Sequence, residues 1–217
     1  MRRRGHATNT GAGPPADLPA ECATTSIELT IPAVPEYTGP FEVESAVGVA
    51  TPIVPNGDGS LDDLDPAEFE ELGAETDLVF FTQWIGDHEF GPDDIGSFSG
   101  PEAPEGSVAL GLTVVPTVST GLQAGDVVAS TDEFEYDSIT TFGSVGLFFD
   151  PAEGIDTYFM VNLLDDAQGG TAEVLYLHDG WLCVNWKLAG ETREPEGTYS
   201  LAGTVVTPFE RAVTPFT

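Results

Sequence analysis

Two cysteines, three histidines, three tryptophans and 37 carboxylates are the side chains on which chemistry could be built in these 217 residues. Cys22 and Cys183 have no C-x-x-C partner, so a zinc cluster is excluded and a disulfide or two thiols remain. A bond between them would tie the amino-terminal segment to the apolar run 181–187 and stabilise the fold by roughly 4–5 kcal/mol in the chain-entropy model. Buried free thiols are the competing reading. They are favoured here because the Arg2-Arg3-Arg4 run leads into polar, Gly- and Pro-rich sequence and not into the apolar stretch of a secretion signal. His88 lies in Gly86-Asp87-His88-Glu89 near Asp93 and Asp94, which suggests a carboxylate–imidazole metal site, although a solvated loop histidine is the commoner outcome. His178 precedes an Asp179-Gly180 turn and reads as a strand-end residue satisfied locally. No G-x-S-x-G elbow, P-loop, dinucleotide fingerprint or H-E-x-x-H occurs. Among 37 carboxylates no catalytic pair can be singled out, so the chain reads as a non-enzyme without a small-molecule substrate.

The sharpest local pattern is Asn56-Gly57-Asp58-Gly59-Ser60-Leu61-Asp62-Asp63-Leu64-Asp65. It resembles the calcium loop of EF-hand and dockerin motifs, in which oxygen ligands at alternate positions wrap the ion and a Gly makes the sharp turn. The resemblance implies Asn56, Asp58, Ser60, Asp62 and Asp65 as calcium ligands, with Gly59 and Leu61 in their usual places. Three features depart from it. Val54 stands where the first Asp belongs, Asp65 where a bidentate Glu is usual, and Pro52 and Pro55 rule out a regular entering helix. A plain Asn-Gly/Asp-Gly turn is the simpler reading.

Trp181 and Trp186 are separated by an odd number of positions, so on a regular strand they face opposite sides, one in the core and one at a surface or interface. The elements that would carry them are short apolar runs rich in Val, Ile, Phe, Tyr, Thr and Trp. Runs at 26–34, 41–54, 77–85, 107–115, 126–130, 134–141, 144–149, 157–164, 171–178, 181–187 and 198–206 read as strands. Gly169-Gly170 and Asp179-Gly180 look like tight hairpin connections, which predicts a three-strand meander over 157–187. One helix is predicted, from Asp65 and Pro66 to the stop at Gly73, with acidic residues in its first turn. The Pro-containing stretch 86–106 reads as a surface excursion. Together these predict an all-β antiparallel sandwich, jelly-roll-like, with one short helix. Residues 1–25 form an extended arm, 26–206 the sandwich, and 207–217 an extended tail. Val206-Thr207-Pro208-Phe209 and Val213-Thr214-Pro215-Phe216 repeat within the last stretch, and Phe209 and Phe216 are the candidate tail anchors.

The formal net charge is −31, and Lys187 is the only lysine. A surface so acidic repels itself in dilute buffer, whereas salt shortens the screening length from about 8 Å at physiological ionic strength to roughly 3 Å at 1 M. In composition the chain resembles proteins of extremely halophilic archaea and their viruses. Residues 1–20 carry three Arg against one Asp, so the only basic cluster sits on the arm. Arg2, Arg3 and Arg4 are the candidate contacts to nucleic acid, anionic lipid or the acidic face of a neighbouring copy. The acidic body itself would repel nucleic acid. No run of about 18–20 apolar residues is present, so no transmembrane segment is expected.

Strand number, a basic amino arm and an anchoring tail resemble the organisation of single jelly-roll capsid proteins among the virion proteins of haloarchaeal viruses. That resemblance implies a structural capsid subunit, made in the cytoplasm of a halophilic host and resident in the virion, which acts by assembling with its own copies and other virion proteins. A tail-tube or decoration protein of such a virus is the nearest alternative. A secreted calcium- or carbohydrate-binding β-module is the other.

Overall fold

A computed structural model describes residues 14–32, 35, 38–52, 79–90, 108–114, 122–129, 145–149, 158–161, 170–193 and 196–211. The predicted calcium loop, the predicted helix, the predicted strand 134–141, the three arm arginines and Phe216 lie outside the described residues. Within them the chain is all β, apart from one short 3₁₀ turn at Ala20–Cys22.

Among the described residues there are eleven strands: β1 (Ser26–Thr30), β2 (Gly39–Phe41), β3 (Ser45–Pro52), β4 (Val79–Gly86), β5 (Val108–Val114), β6 (Val127–Ala129), β7 (Val145–Phe149), β8 (Tyr158–Val161), β9 (Gly170–His178), β10 (Trp181–Arg193) and β11 (Glu196–Arg211). They form one curled, mixed sheet, a half-barrel whose two halves share β11. The first half, sheet A, runs β2-β1-β11-β10-β9-β6 and is antiparallel throughout. The second, sheet B, runs β11-β3-β4-β5-β7-β8 and is antiparallel except where β11 lies parallel to β3. The change of sheet occurs at a defined point. Pro208 makes the last β10–β11 pair with Trp181, the Phe209 amide then bonds the Gly180 carbonyl, and Phe209 to Arg211 run beside Gly48 to Ala50. A strand that passes from one sheet to the other is how a sandwich closes a corner.

The two halves curl around a single core. Ile27 and Leu29 from β1, Phe81 and Ile85 from β4, Leu110 and Leu112 from β5, and Val184 and Trp186 from β10 belong to one buried cluster. Alternation accounts for the selection: β1 buries Ile27 and Leu29 and exposes Ser26 and Glu28, as a strand with one wet face must. Each large aliphatic or aromatic side chain buried in this way contributes roughly 1.5–3 kcal/mol.

Several expectations change in detail. The β9–β10 hairpin turns at Asp179-Gly180, both with positive φ (50° and 75°), as expected. The meander, however, is β9-β10-β11: β8 pairs with β7, and the outer neighbour of β9 is β6. β8 and β9 are therefore not the two arms of one hairpin. The run 41–54 is two strands, split at Glu42–Glu44. The β10–β11 hairpin is longer than its apolar run. At the far end Gly190 faces Tyr199, whose ring lies where a Cβ would sit, 2.7 Å away, so the aromatic fills the space the glycine leaves and the ladder continues to Arg193 and Glu196. At the other end β11 continues through Arg211, so residues 207–211 of the predicted tail belong to the sheet.

Candidate functional site

Three places in the described structure concentrate polar or reactive groups. The first is in the middle of the core. Gln83 of β4 is fully buried and points into sheet A. Its amide nitrogen donates to Thr207 Oγ1 (3.0 Å), the Val205 carbonyl (3.2 Å) and, more weakly, the Leu182 carbonyl (3.4 Å), and its oxygen accepts from Trp186 Nε1 (3.0 Å). The orientation of the amide is dictated by its partners, since an indole N–H only donates and a carbonyl only accepts. Every group is satisfied. A buried network of this kind fixes the register between the two halves.

The second place is the end of β4. Gly86 leads to Asp87, and His88 folds back over the glycine, its ring edge-on to Phe90 at 5.3 Å. His88 Nδ1 lies 3.1 Å from Asp87 Oδ1, and Ser45 Oγ donates to the His88 carbonyl at 2.5 Å. His88 is buried, not solvated as the loop reading expected, and its Nε2 has no hydrogen-bond partner among the described residues. One carboxylate and one imidazole do not make a metal centre. Among the described residues no group of three or more His, Cys, Asp or Glu could hold an ion. Asp93 and Asp94 lie outside the described residues.

The third place is the outer face of sheet A, where chemistry has been done on the chain. Cys22 and Cys183 form a disulfide across 161 residues of sequence. This corrects the expectation of buried free thiols. Parity explains why Cys183 is available: Leu182, Val184, Trp186 and Leu188 of β10 face the core, which puts Trp181 and Cys183 on the opposite side. Trp186 is thus the core tryptophan and Trp181 the surface one, as their spacing requires. Cys183 pairs with Tyr176 in register with the turn, and the register shift just beyond, at Cys183/Val184, places one extra residue in β9, so Tyr176 faces outward with Cys183 while Val174 faces the core. Residues 14–25 lie over this face. Cys22, Cys183 and Tyr176 form a small buried cluster, with Leu18, Leu175, Trp181 and Val206 packed against it. The Tyr176 hydroxyl donates to Asp17 Oδ1 at 3.2 Å. Thr25 closes the segment: its hydroxyl donates to the Val206 carbonyl (3.2 Å) and accepts from the Val206 amide (3.1 Å). Burial, then the hydrogen bond to Asp17, then the charges of Asp17 and Asp179 push the Tyr176 hydroxyl above its ordinary pKa of 10.0.

Of the sequence-predicted site residues, the structure therefore brings Cys22 and Cys183 together. It places Phe209 inside β11, edge-on to Phe81 with ring centroids 5.2 Å apart, so this aromatic packs on its own domain. His178 is exposed and pairs with the neighbouring Asp179. The Gln83 network and the Asp17–Tyr176 clasp were missed, because an isolated Gln in an apolar strand or a Tyr two positions from a strand end has no spacing signal. Among the described residues no helix is long and apolar enough to cross a membrane. Comparison of the chain with models of known protein families, with characterised proteins and with solved structures found no match.

Proposed function

We propose that the chain is a structural subunit of the virion of a virus that infects a salt-loving archaeon, a capsid-shell protein that acts by self-association and not by catalysis. The observation that carries this reading is the disulfide, which fixes the segment leading to the basic cluster onto the outside of an acidic β-body. Disulfides persist outside a reducing cytoplasm, which suits a particle made in a halophilic host and exposed to brine. The charge of −31 supports the same setting, because the carboxylates repel one another until concentrated salt screens them and neighbouring copies can approach. Arg2, Arg3 and Arg4, attached beyond Pro14, would then reach the acidic face of a neighbour, nucleic acid or anionic lipid. A tail-tube or decoration protein is the same proposal with another symmetry.

A secreted or cell-surface β-module of a halophile shares the disulfide and is the second reading, with Asn56, Asp58, Ser60, Asp62 and Asp65 as its calcium ligands. Sedimentation separates the two. The full chain should run as large assemblies in molar salt and fall to single copies in dilute buffer, and a chain lacking residues 1–13 should stay folded but assemble poorly. A compact single copy, equally stable in both media, would refute the virion reading. A melting temperature that drops on chelation would support the module.

A further inference from the structure

The segment 14–25 is attached to the body in an unusual way for a piece of an all-β chain. It is not a strand, and the backbone hydrogen bonds it makes are internal: Leu18 to Pro15, Cys22 to Pro19 and Ala23 to Ala20. Apart from Thr25 at its root, it is held to sheet A by the Cys22–Cys183 bond, by Tyr176 on Asp17 and by the packing of Leu18. No residue of 14–25 belongs to the main core. What it covers is apolar: Leu175, Tyr176, Trp181 and Val206. Both sulfurs belong to fully buried residues. A reductant can therefore reach them only when the segment lifts.

We propose that the Cys22–Cys183 bond is a redox latch that seals an apolar patch of sheet A beneath residues 14–25, and that its reduction releases the segment and opens the patch while the body stays folded. The step is ordinary thiol–disulfide exchange. A thiolate of an external dithiol attacks one sulfur, the mixed disulfide is resolved by the second thiol, and Cys22 and Cys183 leave as thiols while the dithiol takes up the disulfide. Two electrons pass to the protein. A chain newly made in a reducing cytoplasm then carries an unlatched segment and an open patch, and closure follows export or release, where a small-molecule disulfide takes up the two electrons and two protons by the reverse exchange and leaves as its dithiol. Only this ordering rests on the virion reading; the latch itself does not.

The test uses the full chain in molar salt, below the unfolding midpoint of its reduced form, oxidised and then treated with dithiothreitol. Hydrogen exchange is read by peptide. Reduction should cost peptides within 14–25 about tenfold or more of their protection and bring them close to the unprotected rate, while peptides from β4 and β9–β11, less protected overall because the loop constraint on the unfolded chain is gone, still exchange at least about tenfold more slowly than those of 14–25. An apolar fluorescent dye should bind only the reduced chain, and reoxidation should restore protection. The Cys22→Ser/Cys183→Ser variant should match the reduced chain; where it fails to fold, the reduced and reoxidised wild type decides. Unchanged protection of 14–25 after reduction would overturn the latch, because non-covalent contacts would then suffice. So would β4 and β10 falling to the same near-unprotected rate as 14–25, because the body would then not stay folded without the bond. Sedimentation plays no part in this experiment, so failure of the latch and failure of the virion reading remain distinguishable.

Discussion

Replacing Gln83 by Leu removes the side chain of β4 that bonds sheet A through the core, and the structure sets the size of the loss. The amide has two N–H groups for three acceptors at 3.0, 3.2 and 3.4 Å, so two good donor bonds and one weak one are present, together with the bond accepted from Trp186 Nε1 at 3.0 Å. Three full bonds at about 1 kcal/mol each give about 3 kcal/mol, and the indole N–H raises this because it is left buried without an acceptor. The Val205 and Leu182 carbonyls lie in the β10–β11 ladder, so losing the Gln83 N–H costs them less. Leucine packs in the vacated volume and offsets part of the loss. The expected net effect is a destabilisation of about 2–4 kcal/mol, read as a lower denaturant midpoint with unchanged slope in molar salt. The double variant Gln83→Leu/Trp186→Phe identifies the cause. Once the stranded donor is gone, the two substitutions should cost at least about 1 kcal/mol less together than the sum of each alone. Additive losses, or a Gln83→Leu loss below about 1 kcal/mol, would refute the network as the tie between the halves.

Gly203 of β11 has φ 145°, and a Cβ there would stand 2.0 Å from the Ser26 carbonyl oxygen, so Gly203→Ala should cost about 2–4 kcal/mol and loosen β1 first, measured by thermal melting and by exchange of β1 amides. Tyr199 has a buried hydroxyl with no partner among the described residues, so Tyr199→Phe keeps the ring over Gly190 and should leave stability equal or raise it by up to about 1 kcal/mol; a clear loss would show that the hydroxyl is bonded. Burial pushes the Tyr199 hydroxyl up, and burial with Asp17 and Asp179 pushes Tyr176 up. For each, folding stability is therefore unaffected below the ordinary value of 10.0 and falls as pH rises from there through the higher folded value. An alkaline titration followed by tyrosinate absorbance should show both ionising late, and Tyr176→Phe and Tyr199→Phe should each remove one late step.

Much of the strand content was legible because β-structure repeats every two residues and the runs are apolar on alternate positions. The hairpin at Asp179-Gly180 and the opposite facing of Trp181 and Trp186 follow from that period and from turn chemistry alone. Partner choice did not follow. Gly169-Gly170 has the composition of a hairpin turn, yet β9 takes β6 and β10 as neighbours, because strand pairing is decided by which apolar faces the whole chain can bury together. The ends of β10 and β11 were hidden for a related reason: Gly190 weakens a strand when read alone and supports one when Tyr199 lies across it.

The chain's composition by itself determined a net charge of −31 and hence a self-repulsion that salt screens, since net charge is a sum over residues and needs no fold. Its alternation determined an all-β body. The fate of the two cysteines was decided only in three dimensions. Nothing in the sequence relates positions 161 residues apart, and the sequence context pointed to free thiols. The Asp179-Gly180 turn pairs Tyr176 with Cys183, the outward parity of β10 and the extra residue in β9 put both on the face where Cys22 lies, and that proximity made the bond.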